Sequence, residues 1–197
     1  MELTQLIQFD LVQFNFSAKN KKEALDKLTG MLVEKGVIKS KDEFLQALLE
    51  RESMSTTGVG DGIAIPHAKA KAFEKAMIIY AKSNEGIEWE SFDSMPAKHI
   101  FMICAPANGA DEHLKALATL STALMNAEVK AGLDKAATKE EVKIVFESFV
   151  KATQEPKETV AEAESKEQKD KPYIIAVTAC PTGIAHTFMA AEKIKEA

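Results

Sequence analysis

One short stretch constrains the fold of this chain more than any other, because it combines three closely spaced glycines, a brief apolar run, a proline and a histidine. It covers residues 55–69 and reads Ser-Thr-Thr-Gly-Val-Gly-Asp-Gly-Ile-Ala-Ile-Pro-His-Ala-Lys. The glycines allow tight turns, and the run from Ile63 to Ile65 predicts a short buried strand. Pro66 lacks a backbone donor, so the strand is predicted to end there and to present His67 at its mouth. A neutral imidazole in that position can act as a nucleophile, a base or a metal ligand.

The glycine spacing excludes the common nucleotide-binding loops. It lacks the G-x-G-x-x-G pattern and precedes its strand, whereas a dinucleotide fingerprint follows one. A Walker loop would require a Gly-Lys-Ser/Thr sequence, which is missing here. Nucleotide binding is therefore not expected. Since a lone histidine after a strand is often structural, position alone leaves the role of His67 open.

Composition narrows the class of protein. The chain has 197 residues, of which 46% are hydrophobic and 28% charged, as in globular proteins. Its net charge of -5 disfavours a nucleic-acid partner, which normally needs a basic face. No apolar run approaches the ~20 residues of a membrane span, and the amino terminus lacks a signal-peptide pattern. These features predict a cytoplasmic chain without direct membrane insertion, whose cysteines, Cys104 and Cys180, are free thiols.

The hydrophobic pattern over residues 1–150 predicts an α/β domain. Nearly continuous apolar runs at residues 76–81 and 100–105 are typical of strands covered on both faces, and Leu11–Phe14 is interpreted as a first strand. Apolar residues with helical spacing alternate with these runs. The expected fold is a central mixed β-sheet flanked by helices on both faces, with Cys104 buried in it.

Polar residues suggest where the helices begin. Ser40 with Glu43, and Thr138 with Glu141, form capping-box patterns. Asp111 is a candidate N-cap, which would place His113 in the first turn of a long helix. The unpaired amides and the dipole at such a helix end favour an anion such as phosphate.

Arg51 lies near the predicted end of the helix that precedes the glycine-rich stretch. Its guanidinium is a planar fork suited to phosphate oxygens. Most arginines at helix ends, however, face water and interact with the helix dipole. The residue type alone therefore leaves two interpretations of Arg51.

The composition changes abruptly after Val150. Residues 151–171 are rich in lysine and acidic residues, and such a segment predicts a flexible linker with a span on the order of 25 Å. Residues 172–197 then indicate a strand, a Cys-Pro-Thr-Gly turn and the start of a helix, which is the beginning of an incomplete parallel α/β domain. Cys180 lies in the turn, where helix amides would lower the pKa of its thiol and hold a phosphate.

Two motifs carry a family resemblance. Arg51-Glu52 followed by Thr57-Gly-Val-Gly-Asp-Gly-Ile-Ala-Ile-Pro-His67 resembles the signature of the fructose/mannitol-type enzyme IIA domain of the bacterial sugar phosphotransferase system. The resemblance implies that His67 is the phosphate acceptor, that His113 is the second active-site histidine and that Arg51 binds phosphate. Residues 172–192 resemble the opening of a fructose-type enzyme IIB domain, which implies a phosphocysteine at Cys180.

The resemblance implies a phosphoryl relay that requires neither metal nor cofactor. A histidine-containing phosphocarrier protein would phosphorylate His67, and the group would pass to Cys180 of a complete enzyme IIB domain and then to a sugar through the membrane enzyme IIC part. One alternative is a regulatory phosphoprotein, because nitrogen-regulatory enzyme IIA domains resemble the same motif. Another is a metal-dependent hydrolase that uses His67 and His113, although the chain lacks a recognisable metal-ligand spacing. Phosphate transfer without added metal would discriminate between them.

Overall fold

The computed structural model describes residues 3–154, so Cys180, most of the predicted linker and the predicted partial domain lie outside the described residues. The helices are Leu3–Leu6 (α1), Lys21–Glu34 (α2), Asp42–Met54 (α3), Ala110–Met125 (α4), Ala127–Lys135 (α5) and Lys139–Gln154 (α6). The strands are Gly58–Gly60 (β1), Ile63–Ala64 (β2), His67–Ala70 (β3), Met77–Ile87 (β4) and Ala97–Pro106 (β5).

The sheet is built around β5. Strand β4 pairs with it in antiparallel orientation, while β2 and β3 pair with its other side in parallel orientation. Strand β1 continues the sheet beyond β2 as an antiparallel neighbour. At the level of Ile103 the register joins His67 on one side to Ile78 on the other. The sheet is therefore mixed, as the sequence predicts, and β3 lies at one of its edges.

Two hydrophobic cores cover the two faces of the sheet, because successive side chains of a strand point in opposite directions. Phe101 and Ile103 belong to the core that includes α4, α5 and α6, whereas Met102 and Cys104 belong to the core with α2 and α3. The predicted arrangement of helices on both faces is confirmed. Cys104 is fully buried, and this burial raises the pKa of its thiol.

The helix-start predictions have different outcomes. Thr138 and Glu141 form the predicted capping box, in which the amide of Glu141 donates to Thr138 Oγ1 and the amide of Thr138 donates to Glu141 Oε2, both over 3.2 Å. The box predicted for Ser40 and Glu43 is wrong. Lys41 is the N-cap of α3, so Ser40 lies one residue too early for its hydroxyl to reach the third helical amide.

The predicted first strand, Leu11–Phe14, is also wrong. Phe9–Leu11 forms a 3-10 turn, and Gln13 alone makes a bridge to Ala81 of β4. Asn15 has a φ of 55°, which turns the backbone out of the extended region directly after the apolar run. The run is therefore anchored to β4 at a single residue and does not extend into a strand.

The final helix, α6, continues to Gln154, so its last turn occupies the first positions of the predicted linker range. Within residues 3–154, no helix combines the length and apolar character needed to cross a membrane.

Candidate active site

His67 is the first residue of β3. The sequence predicts a strand that ends at Pro66 and presents His67 at its mouth, but the structure differs. Although Pro66 donates no hydrogen bond, its carbonyl accepts from the amide of Ile103 over 2.9 Å, which keeps the chain beside β5. The chain therefore re-enters the sheet immediately, and His67 is held by a strand.

Two hydrogen bonds fix the ring of His67. Its Nδ1 lies 2.7 Å from the carbonyl oxygen of Ile65, and its Nε2 lies 2.9 Å from Nε of Arg51. A carbonyl can only accept and a guanidinium can only donate, so Nδ1 carries the proton and Nε2 carries the lone pair. Both contacts select the same neutral tautomer. The residue is 7% exposed.

Arg51 reaches this ring from the last turn of α3. Besides the bond to His67, its Nη1 donates to the carbonyl of Ser55 over 3.0 Å. The backbone beyond the helix thus helps to orient the guanidinium. Because a guanidinium presents several N–H groups in one plane, it is suited to a tetrahedral oxyanion carried by the neighbouring nitrogen.

His113 joins the site from the other side. The helix α4 begins at Ala110 after Gly109, so the prediction of Asp111 as N-cap is wrong by two residues, but His113 still lies in the first turn. Its ring centroid is 5.2 Å from that of His67. The fold therefore brings together two histidines that are distant in sequence and places both beside a helix amino terminus.

The environment of His113 favours the neutral ring. Burial lowers its pKa to about 4, and the positive charges of Lys69 and Arg51 act in the same direction. Its Nε2 is buried and has no hydrogen-bond partner among residues 3–154. Two neutral imidazoles and two cations therefore converge. The cations attract an anion, and the neutral ring of His113 does not repel them.

Lys69 is absent from the predicted site. It follows His67 by two residues in β3, so both side chains leave the strand on the same face. Lys69 itself is exposed. Lys69 could have been identified from the alternation of side chains along a strand that continues after Pro66. A strand predicted to end at the proline gives no such alternation.

The arrangement is suited to group transfer at Nε2 of His67. A lone pair is held in place by Nδ1–H, and positive charge lies around it. Among residues 3–154, no group of three or more His, Cys, Asp or Glu side chains is placed to hold a metal ion. The structure thus brings Arg51, His67 and His113 together, whereas Cys180 lies outside the described residues.

A third histidine, His99, lies on the same face of the sheet but outside this site. Its Nδ1 is 2.8 Å from the hydroxyl of Tyr80, and its Nε2 is 3.0 Å from Oδ1 of Asp134. Burial lowers the pKa of His99, while Asp134 opposes that shift. Lys82 fastens the same region, because its Nζ donates to three carbonyls at the end of α5.

Family comparisons match two parts of the chain. The family described as "Phosphoenolpyruvate-dependent sugar phosphotransferase system, EIIA 2" matches residues 5–149. The family described as "PTS system, Lactose/Cellobiose specific IIB subunit" matches residues 175–197. The two matches lie on either side of the predicted linker.

Similar proteins include single-domain and multidomain members. The fructose-specific EIIABC component of Bacillus subtilis is 38% identical over 100% of this chain, which spans 31% of that protein. The fructose-specific EIIA component of Haloferax volcanii is 38% identical over 76% of this chain and 97% of its own length. A nitrogen regulatory protein of Bradyrhizobium diazoefficiens is 33% identical over 66% of this chain and 84% of its own.

Solved structures support the fold. The nitrogen regulatory protein IIA-Ntr from Neisseria meningitidis superimposes with a TM-score of 0.67 at 22% identity, over 73% of this chain and 98% of that one. This agreement confirms the predicted α/β architecture.

Proposed function

The chain belongs to the EIIA 2 family of the phosphoenolpyruvate-dependent sugar phosphotransferase system, and we propose that it accepts a phosphoryl group on Nε2 of His67 and passes it on within a fructose-type transporter. Components of this family are phosphotransferases. The observation that carries the proposal is the fixed tautomer of His67, because the bond from Nδ1 to Ile65 leaves the lone pair on Nε2.

The first step is attack by the Nε2 lone pair on the phosphorus of a phosphohistidine in the carrier protein. A new P–N bond forms at His67, the P–N bond of the donor breaks, and the donor imidazole keeps the bonding electron pair. The proton stays on Nδ1 and is donated to the carbonyl of Ile65 throughout, so His67 needs no separate base. The phosphorylated ring is protonated at Nδ1, which later allows it to leave as neutral imidazole.

The surrounding charges act on the phosphoryl group. Its oxygens carry negative charge through a loose transition state, so catalysis depends on positioning and electrostatic stabilisation. Arg51 already touches the accepting nitrogen, and it would turn its N–H groups to the oxygens. Lys69 adds a second positive charge. His113, neutral because its pKa is about 4, donates or accepts a hydrogen bond without repelling the cations.

The second step transfers the group to a thiolate. The sulfur of Cys180, in a complete enzyme IIB domain, attacks phosphorus as the P–N bond at His67 breaks. The match of residues 175–197 to an enzyme IIB family supports this order, and the B. subtilis relative carries EIIA, EIIB and EIIC in one chain. A membrane enzyme IIC partner and a cytoplasmic site for the relay are parts of the proposal. Fructose rests on the names of the relatives, since the enzyme IIB family match names other sugars.

A phosphorylation map tests the first step. The protein is incubated with carrier protein bearing ³²P-phosphohistidine and then digested with trypsin. Cleavage after Arg51 and Lys69 releases residues 52–69, in which His67 is the sole histidine, whereas His99 and His113 remain together in residues 99–115. Acid-labile label in the first peptide, lost in His67→Gln, is expected. Label confined to the second peptide would reject the assignment.

A regulatory role is the second candidate, because the nitrogen regulatory relative shares 33% identity with this chain. The two functions share the phosphorylation of His67 and differ in the next step. A relay predicts that phosphorylated protein loses its label to a complete enzyme IIB domain carrying Cys180, while the corresponding Cys180→Ser domain takes none. Label that stays on His67 in the presence of the intact domain would favour regulation. The enzyme IIB match in residues 175–197 favours the relay.

A further inference from the structure

Glu52 follows Arg51 at the end of α3, and its side chain turns inward. The residue is 7% exposed. Its Oε1 accepts from the backbone amide of Thr57 over 3.1 Å, and its Oε2 accepts from the hydroxyl of the same residue over 2.6 Å. A carboxylate that receives two donors from one residue fixes both the distance and the orientation of that residue.

The other partners make this contact rigid. Thr57 Oγ1 donates to Glu52 and also accepts from the indole N–H of Trp89 over 3.0 Å. Lys21 contributes a charged partner, with its Nζ 3.4 Å from Oε1 of Glu52 and 2.9 Å from a carboxylate oxygen of Glu90. The buried carboxylate is therefore paired in charge and satisfied in hydrogen bonding, as burial requires.

From Thr57 the connection continues to the proposed phosphoacceptor. The carbonyl of Thr57 accepts from the amide of Ile65 over 2.9 Å, and the carbonyl of Ile65 accepts from Nδ1 of His67 over 2.7 Å. From the helix side, Arg51 contacts Nε2 of the same ring. Arg51 and Glu52 are consecutive residues, so the contacts form a closed ring that begins and ends at the terminus of α3.

From this ring we infer that Glu52 is a positioning residue, which sets the separation between the Arg51 guanidinium and Nε2 of His67 and keeps the Ile65 carbonyl aligned with Nδ1. This role rests on the proposed function of His67. It acts through its two hydrogen bonds with Thr57. A displacement of about 1 Å in a reacting group can cost on the order of 10² in rate.

A purely structural role would stabilise the junction of α3 and β1 without affecting chemistry. The two roles differ in measurable ways. Positioning predicts a slower transfer step with unchanged affinity for the carrier, together with a mixture of His67 tautomers. A structural role predicts a lower melting temperature with the transfer rate of the folded protein unchanged.

Glu52→Gln is the principal variant, because it keeps the shape of the side chain but replaces one acceptor oxygen by a donor. Glu50→Gln is the matched control on the same helix, since Glu50 is exposed. Thr57→Ser keeps the hydroxyl and should preserve the wild-type rate, whereas Thr57→Val removes it. If Glu52→Gln fails to fold, the two Thr57 variants decide the same question.

Transfer from phosphorylated carrier is measured in single turnover, over a range of carrier concentrations and well below each melting temperature. Glu52→Gln and Thr57→Val should slow the limiting rate about 10- to 10²-fold. The carrier concentration that gives half of this rate should change less than twofold. In unphosphorylated protein, the ¹⁵N shifts of the His67 ring should show one tautomer in the wild type and the control, and a mixture in these variants.

The outcomes are distinguishable. A limiting rate within twofold of wild type in folded Glu52→Gln, with a single His67 tautomer, would overturn the positioning role and leave the relay intact. If wild-type protein carries no phosphate on His67, the proposed function fails, and the tautomer measurement still decides whether Glu52 aligns the ring.

Discussion

Buried histidines lie near both ends of β5, one in the strand itself and one in the neighbouring strand β3. His99 lies near the start of the strand, and His67 is paired with Ile103, about 13 Å further along at ~3.3 Å per residue. Burial lowers the pKa of both His99 and His113, the neighbour of His67. Burial therefore does not distinguish the two regions.

The partners of the rings do distinguish them. His99 has a side-chain partner on each nitrogen, Tyr80 on one side and Asp134 on the other. His113 has cations for neighbours, and its Nε2 finds no partner within residues 3–154. A histidine whose two nitrogens are engaged by neighbouring side chains holds elements together, whereas neutral rings among cations can receive an anion.

The largest difference between the two regions should appear on deletion of the proposed phosphoacceptor. His67→Ala is expected to abolish phosphorylation by the carrier, because the attacking lone pair is lost. The fold should remain, since the ring lies at an edge strand. Transfer of ³²P and circular dichroism measure the two effects. Normal labelling of residues 3–154 in this variant would place the acceptor elsewhere.

His113→Ala should slow transfer by about 10² to 10³ while the carrier still binds, because an oriented group that stabilises transferred charge is lost. Thr122→Ala, an exposed position further along α4, is the control. Stopped-flow rates and carrier binding are compared. An unchanged rate would make His113 equivalent to His99, a structural residue.

The same variant should change the pH dependence of stability. The pKa of His113 is about 4 in the folded protein and near 6.5 when unfolded, so the unfolded chain binds the extra proton between these values. Stability therefore falls as pH decreases from about 6.5 to about 4. Urea unfolding at several pH values across that window gives the free energy of unfolding. Its dependence on pH should be weaker in His113→Ala than in the wild type.

Lys69→Gln should reduce the transfer rate by a smaller, salt-sensitive factor, because an exposed charge is screened by solvent. It should also raise the pKa of His113, since the positive charge of Lys69 helps to lower it. Lys71→Gln is the matched control, an exposed lysine just beyond β3. NMR titration of the His113 ring measures the shift. A pKa that does not respond would remove Lys69 from the site.

His99→Ala is expected to lower stability while leaving phosphoryl transfer unchanged. Loss of the ring leaves the buried hydroxyl of Tyr80 without its partner, which should cost about 1–3 kcal/mol of unfolding free energy. Transfer in the folded variant should remain within twofold of wild type. Chemical denaturation and single-turnover transfer test both parts. A large loss of transfer at full folding would contradict the division between the two regions.

The smallest effect is expected from removal of the chain beyond α6. Deleting residues 155–197 should leave His67 phosphorylation and stability nearly unchanged, because the two cores are formed within residues 3–154. Melting temperature and ³²P labelling provide the test. A loss of either would show that the deleted residues complete the unit.

Local chemistry explains which features the sequence could predict. The capping box of Thr138 and Glu141 was predictable because it depends on residues three apart. The same spacing at Ser40 and Glu43 gave no box, because α3 begins one residue later than that pattern requires. The buried strand that contains Cys104 was predictable because its apolar run is continuous. The prediction around Leu11–Phe14 is wrong because a 3-10 turn ends at Leu11 and Asn15 leaves the extended region, so the run makes one isolated bridge to β4.

The site was predictable where its residues belong to sequence motifs. His67, His113 and Arg51 follow from motifs, and the structure brings them together. Lys69 was not predicted, because Pro66 suggested the end of a strand that in fact resumes. The role of Glu52 depends on Thr57 and Trp89, and no pattern in the sequence indicates that these side chains meet.

The shallow exposure of His67 has a consequence for the lifetime of a phosphorylated state. With 7% of the residue exposed, water reaches the ring only over a narrow solid angle. Hydrolysis competes with delivery, and exclusion of water suppresses it. A donor or acceptor group would then have to approach His67 through the small exposed part of the residue. The burial that would shield a phosphoryl group on His67 from water would also restrict which molecules can reach it.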